Sequence, residues 1–234
     1  MKKTGLLLFL LIWMTGSVHV YSFSEKQITA LGDSIPYGYH LTPVNKQPSP
    51  YAFPYLIGEK GNMVVNNLSV PGLTSGELLQ ELKTNKVVRD AVADSDYILL
   101  YIGGNDLLNF LKKNDNLQGV DLEKAAPVIR DLIYNVYSTI LEIDALSDGE
   151  ILVYNLYNPY PAASDQLSAP LSYINQQYQS LVQLVRHFAS VTLIDAYGAF
   201  AGHPEYIIER DVHPNKKGQE KLAELGWNQL KNKR

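Results

Sequence analysis

The sequence predicts an α/β fold in which a central parallel sheet carries helices on both faces. Three observations lead there. Apolar β-type runs alternate with segments of helical periodicity along nearly the whole chain. The run ILLYI, within DYILLYIGGND (96–106), is apolar at every position, as a strand buried on both faces requires. Ser34, Asn105, Asn155 and Asp195 all fall at carboxyl ends of the expected strands, where open parallel sheets bind ligands.

The elements follow in order. QITALGDS (27–34) reads as a buried strand and YAFPYLIGEKG (51–61) as a short helix. MVVNNLSV (63–70) is a second strand, and SGELLQELKTN (75–85) a helix that begins just after a turn. The third strand is 96–106. Leu122, Ala125, Ile129, Leu132, Val136, Ile140 and Ile143 recur at helical spacing through 122–146. EILVYNLY (150–157) and VTLID (191–195) are further strands, separated by a helix over about 168–189. A last helix is expected from Pro214 to Leu230, with proline in its opening turn. No repeat, low-complexity stretch or long linker divides the chain, so residues 27–234 read as one domain.

The N-terminus has a different character. MKK precedes the unbroken apolar run GLLLFLLIWM (5–14) and then TGS, the layout of a secretory signal over 1–22. The run falls short of the roughly 20 residues of a membrane span, although extended to Val20 it could just anchor the chain. Cleavage is expected, with Ser17 and Ser22 as candidate final residues and an extracellular or cell-surface location. Membrane contact is expected only through this segment, if it is retained.

Composition narrows the chemistry. A formal net charge of −4 argues against a nucleic-acid partner. The chain has no cysteine, which excludes disulfides, thiol nucleophiles and a lipid-modified N-terminal cysteine. No spaced His/Asp/Glu set suggests a metal site and no phosphate loop is present, so no cofactor is expected. The remaining candidate is the stretch ALGDSIPYG (30–38), where a strand stops on Ser34.

A serine hydroxyl is a weak nucleophile until a base takes its proton. Of five histidines, His19 lies in the signal region, His187 in a helix among apolar neighbours, and His40 and His203 in loops with no clear partner. His213, in ERDVHPNKKGQ, follows acidic residues and precedes proline, and it is the best candidate base. An ester carbonyl under attack also needs donors aimed at its oxygen. Gly72, in LSVPGLTS, can bring a backbone N–H close, and Asn105, in IGGND, offers a side-chain amide.

Taken together, GDS after the first strand, a glycine turn after the second, GGND after the third and an acid-His-Pro near the carboxyl end resemble the GDSL, or SGNH, hydrolases. The resemblance runs from Ile28 to about Leu230, and LYNPYP (156–161) is similar to a Gram-positive branch of that family. It implies a flavodoxin-like three-layer α/β/α fold and a serine esterase or lipase that works without a cofactor. Ser34 would be nucleophile and first oxyanion donor, Gly72 and Asn105 the other donors, and His213 the general base. Asp33 and Asp106 would brace loops.

The family carries its acid three residues before the histidine, and here that position is Arg210. Asp211, two before, can lie on the same side of an extended segment and is the expected acid, with Glu209 or a backbone carbonyl as alternatives. Tyr37, Tyr39, Tyr51, Phe53, Tyr55, Tyr154, Tyr157 and Tyr160 are candidates to wall an acyl chain or stack on sugar rings. A secreted esterase, a cell-wall carbohydrate O-acetylesterase and a non-catalytic binding protein on the same fold all remain open at this level.

Overall fold

A computed structural model describes residues 25–113, 122–160 and 164–231. The expected signal, 1–22, lies outside the described residues. Five strands, β1 (Gln27–Gly32), β2 (Val64–Asn67), β3 (Tyr97–Tyr101), β4 (Glu150–Tyr154) and β5 (Val191–Ile194), form one sheet in the order β2-β1-β3-β4-β5. Every pairing is parallel. This is the flavodoxin-like order, whose switch point lies between the first and third strands.

Both central strands are buried throughout, as their apolar runs foretold: Ile98, Leu99 and Leu100 of β3 and Leu152 and Val153 of β4 expose no surface. Each such side chain contributes about 1.5–3 kcal/mol when fully buried. Helices α2 (Phe53–Gly61) and α9 (Lys216–Leu230) pack together on one side, where Phe53 lies 4.8 Å from the Tyr154 ring. Helices α3 (Ser75–Thr84), α6 (Leu122–Asp144) and α7 (Ser164–Val185) pack in series on the other. The buried Tyr178 of α7 donates to the Ile102 carbonyl at 2.7 Å.

Several boundaries differ from those the sequence suggests, each for a local reason. Asn85 ends α3 and its side chain caps α4 (Lys86–Ala93) by accepting from Val87 N at 3.0 Å, so the expected helix over 75–85 is followed at once by a second that was not expected. Strand β3 stops at Tyr101, and the GGND segment opens α5 (Gly104–Lys113). Helix α7 begins four residues earlier than expected, with Pro170 inside it. A short α8 (Ala196–Phe200) follows β5, capped by Asp195. Helix α9 is capped by Asn215, whose side chain accepts from Gly218 N at 3.2 Å; Pro214 lies just outside.

The turn out of β1 depends on one glycine. Gly32 has φ +150°, and a Cβ there would sit 1.9 Å from the Tyr101 carbonyl oxygen of the neighbouring strand. No side chain fits that gap. Gly32→Ala is therefore expected to destabilise the protein by about 4 kcal/mol or more, lowering Tm by roughly 10 °C, or to prevent folding. Thermal unfolding with an unchanged Tm would refute this account of the turn.

Candidate active site

The site gathers at the carboxyl ends of β1, β2 and β3. Asp33 follows Gly32 and caps the short helix α1 (Ser34–Tyr37), accepting from Ile35 N at 2.9 Å. Ser34 is then the first helical residue. Its N–H has no intrahelical acceptor, as at any helix start, and none elsewhere among the described residues. Gly38, left-handed at φ 71°, closes the helix and sends the chain back. The buried Gln219 of α9 joins this turn to the start of α2, donating to Ile35 O at 3.0 Å and accepting from Phe53 N at 2.8 Å. Helix α9 follows His213 directly, so the bond to Ile35 O ties the base's segment to the nucleophile's.

His213 Nε2 lies 3.0 Å from Ser34 Oγ, and His213 Nδ1 lies 2.6 Å from Asp211 Oδ1. The acid two residues back does reach the ring, but by a turn rather than by extended geometry. Residues 208–213 form a tight hairpin: Ile208 N donates to His213 O at 2.9 Å and Asp211 N to Ile208 O at 3.0 Å. Arg210 takes the left-handed conformation, φ 60°, at a cost of about 1–2 kcal/mol for a residue with a Cβ. Asp211 Oδ1 also accepts from Val212 N at 2.6 Å, which folds the carboxylate back over its own loop. Tyr157 anchors the loop by donating to Val212 O at 2.6 Å. Glu209 instead points to solvent beside Arg210, both side chains about nine-tenths exposed.

Among the expected donors, Asn105 stands in the first turn of α5, and its Nδ2 donates to Leu73 O at 3.0 Å. That bond uses one amide hydrogen and orients the other. It also fixes the loop containing Gly72, which is exposed at φ 88° with an N–H that has no acceptor among the described residues. Asp106 accepts from Ser75 N at 3.0 Å and Ser75 Oγ at 2.6 Å, joining the starts of α5 and α3. Asn155 and Asp195, also at strand ends, bond to each other at 2.9 Å and brace β4 against the start of α8.

Two features escape a reading of the sequence. His40, taken there as a loop residue without a partner, places Nδ1 2.5 Å from Asp211 Oδ2. Nothing in the sequence pairs residues so far apart. His40, Asp211 and His213 thus bring three possible metal-ligand atoms within 4.8 Å of one another, a cluster that spacing along the chain does not reveal. Both histidines are already hydrogen-bonded to Asp211 through Nδ1. The second feature is the pocket beside Ser34 and Asn105, about 850 Å3 including its open mouth. Leu107, Leu108, Phe110, Ile129, Leu171 and Ile174, from α5, α6 and α7, form much of its wall. Of the eight aromatics singled out in the sequence, only Tyr157 and Tyr160 line it; Tyr37, Phe53 and Tyr154 are core residues. The signal was present as helical periodicity, which marks an apolar face but not whether it covers a sheet or a cavity. Asn175 holds part of the rim by bonding both the N–H and the carbonyl of Leu156, at 3.0 and 2.8 Å.

The electrostatics divide the groups. Burial pushes Asp211 upward, but hydrogen bonds from His40, His213 and Val212 N outweigh it and hold its carboxyl down at about 2. Burial keeps His213 below the ordinary imidazole value, against the opposing pull of Asp211, so Nε2 is free to accept a proton near neutral pH. Asp33 is raised to about 7, first by burial and then by the Asp106 charge, against the lowering effect of the Ile35 bond.

These shifts act oppositely on stability. Asp33's contribution is complete below its unfolded value of 3.8 and is lost as pH rises through about 7; Asp211's is present above 3.8 and lost as pH falls through about 2. Asp33→Asn retains an oxygen to cap Ile35 but cannot ionise. Its Tm should therefore fall less between pH 4 and pH 8 than that of the wild type. Parallel Tm profiles for the two proteins across that range would contradict a buried, titrating Asp33.

Residues 30–221 match the GDSL-like lipase/acylhydrolase family. A Bacillus subtilis protein, the uncharacterized YpmR, is 27% identical over 171 residues, which cover 71% of this chain and 66% of that protein, just under two thirds of its length. A lipase from a goat rumen metagenome has a similar structure, with TM-score 0.70 and 26% identity over 85% of this chain and 94% of its own. An acetyl-xylooligosaccharide esterase mutant from Geobacillus shares the fold at TM-score 0.66 and 15% identity, covering 88% of this chain and 94% of its own. With a family match spanning most of the chain, the protein belongs to the GDSL-like lipase/acylhydrolase family.

Proposed function

We propose that this protein hydrolyses carboxylic esters of apolar acyl chains through an acyl-enzyme on Ser34. The observation that carries this reading is the pocket. Ser34 and Asn105 open into a cavity walled mainly by aliphatic side chains, which receives a hydrocarbon chain and offers a sugar ring few hydrogen-bond partners. The hydrogen bond between Ser34 and His213 favours turnover over a purely binding role.

In this mechanism Ser34 Oγ attacks the ester carbonyl carbon and passes its proton to His213 Nε2. Asp211 stabilises the imidazolium and holds Nδ1 protonated. The carbonyl oxygen becomes an oxyanion, met by the N–H groups of Ser34 and Gly72 and the remaining Asn105 amide hydrogen. Collapse breaks the bond to the leaving oxygen, which takes the proton from Nε2. Water then gives a proton to Nε2 as its oxygen attacks the acyl carbon, and Ser34 Oγ departs with that proton. The MKK–apolar–TGS layout supports export of the enzyme, so that its substrates would be esters outside the cytoplasm.

With p-nitrophenyl esters from acetyl to decanoyl, kcat/KM should rise with chain length until the pocket is filled, by up to about fourfold per CH2. Leu108→Trp, which fills the pocket, should flatten that rise while sparing the acetyl ester, and Ser34→Ala should be inactive on every ester. A preference for acetyl esters, with turnover of acetylated oligosaccharides, would instead favour a carbohydrate O-acetylesterase.

Asn105→Ala should lower kcat about 10²–10³-fold with little change in KM, because its donor strengthens as charge develops. Normal kcat combined with reduced thermal stability would assign Asn105 a structural role alone.

A further inference from the structure

We propose that His40 is a positioning residue that completes the acid–base pair by holding the second oxygen of Asp211. This inference rests on the reading of Ser34, His213 and Asp211 given above.

The demands on Asp211 are asymmetric. Its Oδ1 serves the His213 ring, Val212 N and, at 3.3 Å, His213 N. Among the described residues, Oδ2 has one hydrogen-bonding partner, His40 Nδ1. A carboxylate held through one oxygen can still rotate about its Cβ–Cγ bond and carry Oδ1 away from the imidazole. A donor on the other oxygen removes that freedom. The ionised carboxylate only accepts, so His40 carries its proton on Nδ1.

His40 is itself held in place. Its N–H donates to Asn45 Oδ1 at 3.0 Å, and its ring lies 4.2 Å from that of Tyr39. Its backbone is left-handed, φ 64°, a conformation that histidine adopts uncommonly. Tyr39 N in turn donates to Ser34 O at 3.1 Å. The segment that presents the nucleophile thus also returns to grip the acid. The His40 and His213 rings stand edge-on, 5.1 Å apart, each bonded to a different oxygen of the Asp211 carboxylate.

Two substitutions suit a left-handed backbone and separate donor from scaffold. His40→Gly removes the donor, whereas His40→Asn places an amide N–H near the position of Nδ1. With p-nitrophenyl butyrate, His40→Gly should lower kcat about tenfold at nearly constant KM, and His40→Asn should restore most of it. In an Asp211→Asn background, His40→Gly should cause no further loss, because its effect passes through the carboxylate. If the glycine variant fails to fold, His40→Asp replaces it: near-isosteric with Asn but repelling Asp211, it should fall at least tenfold below His40→Asn. Full activity in His40→Gly or His40→Asp, or losses that multiply with Asp211→Asn, would overturn the inference. Ser34→Ala is measured alongside. If it is inactive while His40→Gly is fully active, only the role of His40 fails; if it is active, the catalytic reading beneath it fails as well.

Discussion

The backbone contact between Gly32 and the carbonyl oxygen of Tyr101 is the constraint on which the site is built. Strand β1 is held on both sides, by β2 and β3, so its chain can leave the sheet only by a sharp turn at its carboxyl end. A residue without a side chain makes that turn possible, and Asp33 then caps the helix that begins at Ser34. The nucleophile's position is thus a consequence of sheet pairing, with little freedom left to the loop.

The base comes from the other end of the chain and needs its own anchorage. Gln219 joins α9 to the backbone of the nucleophile's turn, and Tyr157 fixes the hairpin before α9 through Val212 O. The hairpin forms by placing Arg210 in a left-handed conformation, which brings Asp211 to Nδ1 of His213. A shorter acid–base spacing is therefore accommodated by local backbone geometry. The same turn leaves one carboxylate oxygen directed at His40.

The helices on the far side of the sheet serve two ends. Along most of their length their apolar faces cover the strands, but beyond the strand tips those of α5, α6 and α7 enclose a cavity instead. An apolar wall there desolvates the reacting ester, which strengthens each hydrogen bond to the developing oxyanion. It also burdens Asp33, which lines the pocket and whose pKa burial raises. Packing and chemistry are in tension at that one carboxyl group.

The sequence by itself determined the parallel sheet, because an apolar run such as ILLYI is stable only when both faces are covered, and strand–helix alternation supplies the cover. It also marked Ser34, Gly72, Asn105 and His213, because each is a weak signal alone but their joint order and spacing along the chain resemble one family's pattern. It could not show α4, where Asn85 acts as the cap of two helices, nor that GGND begins a helix. Tertiary structure alone decided the partner of His40, 171 positions from Asp211. It alone turned helical apolar faces into a pocket, since periodicity reports that a face is buried and not what lies opposite. The reach of Asp211 was open in the sequence between Asp211, Glu209 and a backbone carbonyl, and the left-handed turn at Arg210, a conformation its residue type does not favour, is what brings Asp211 to the ring.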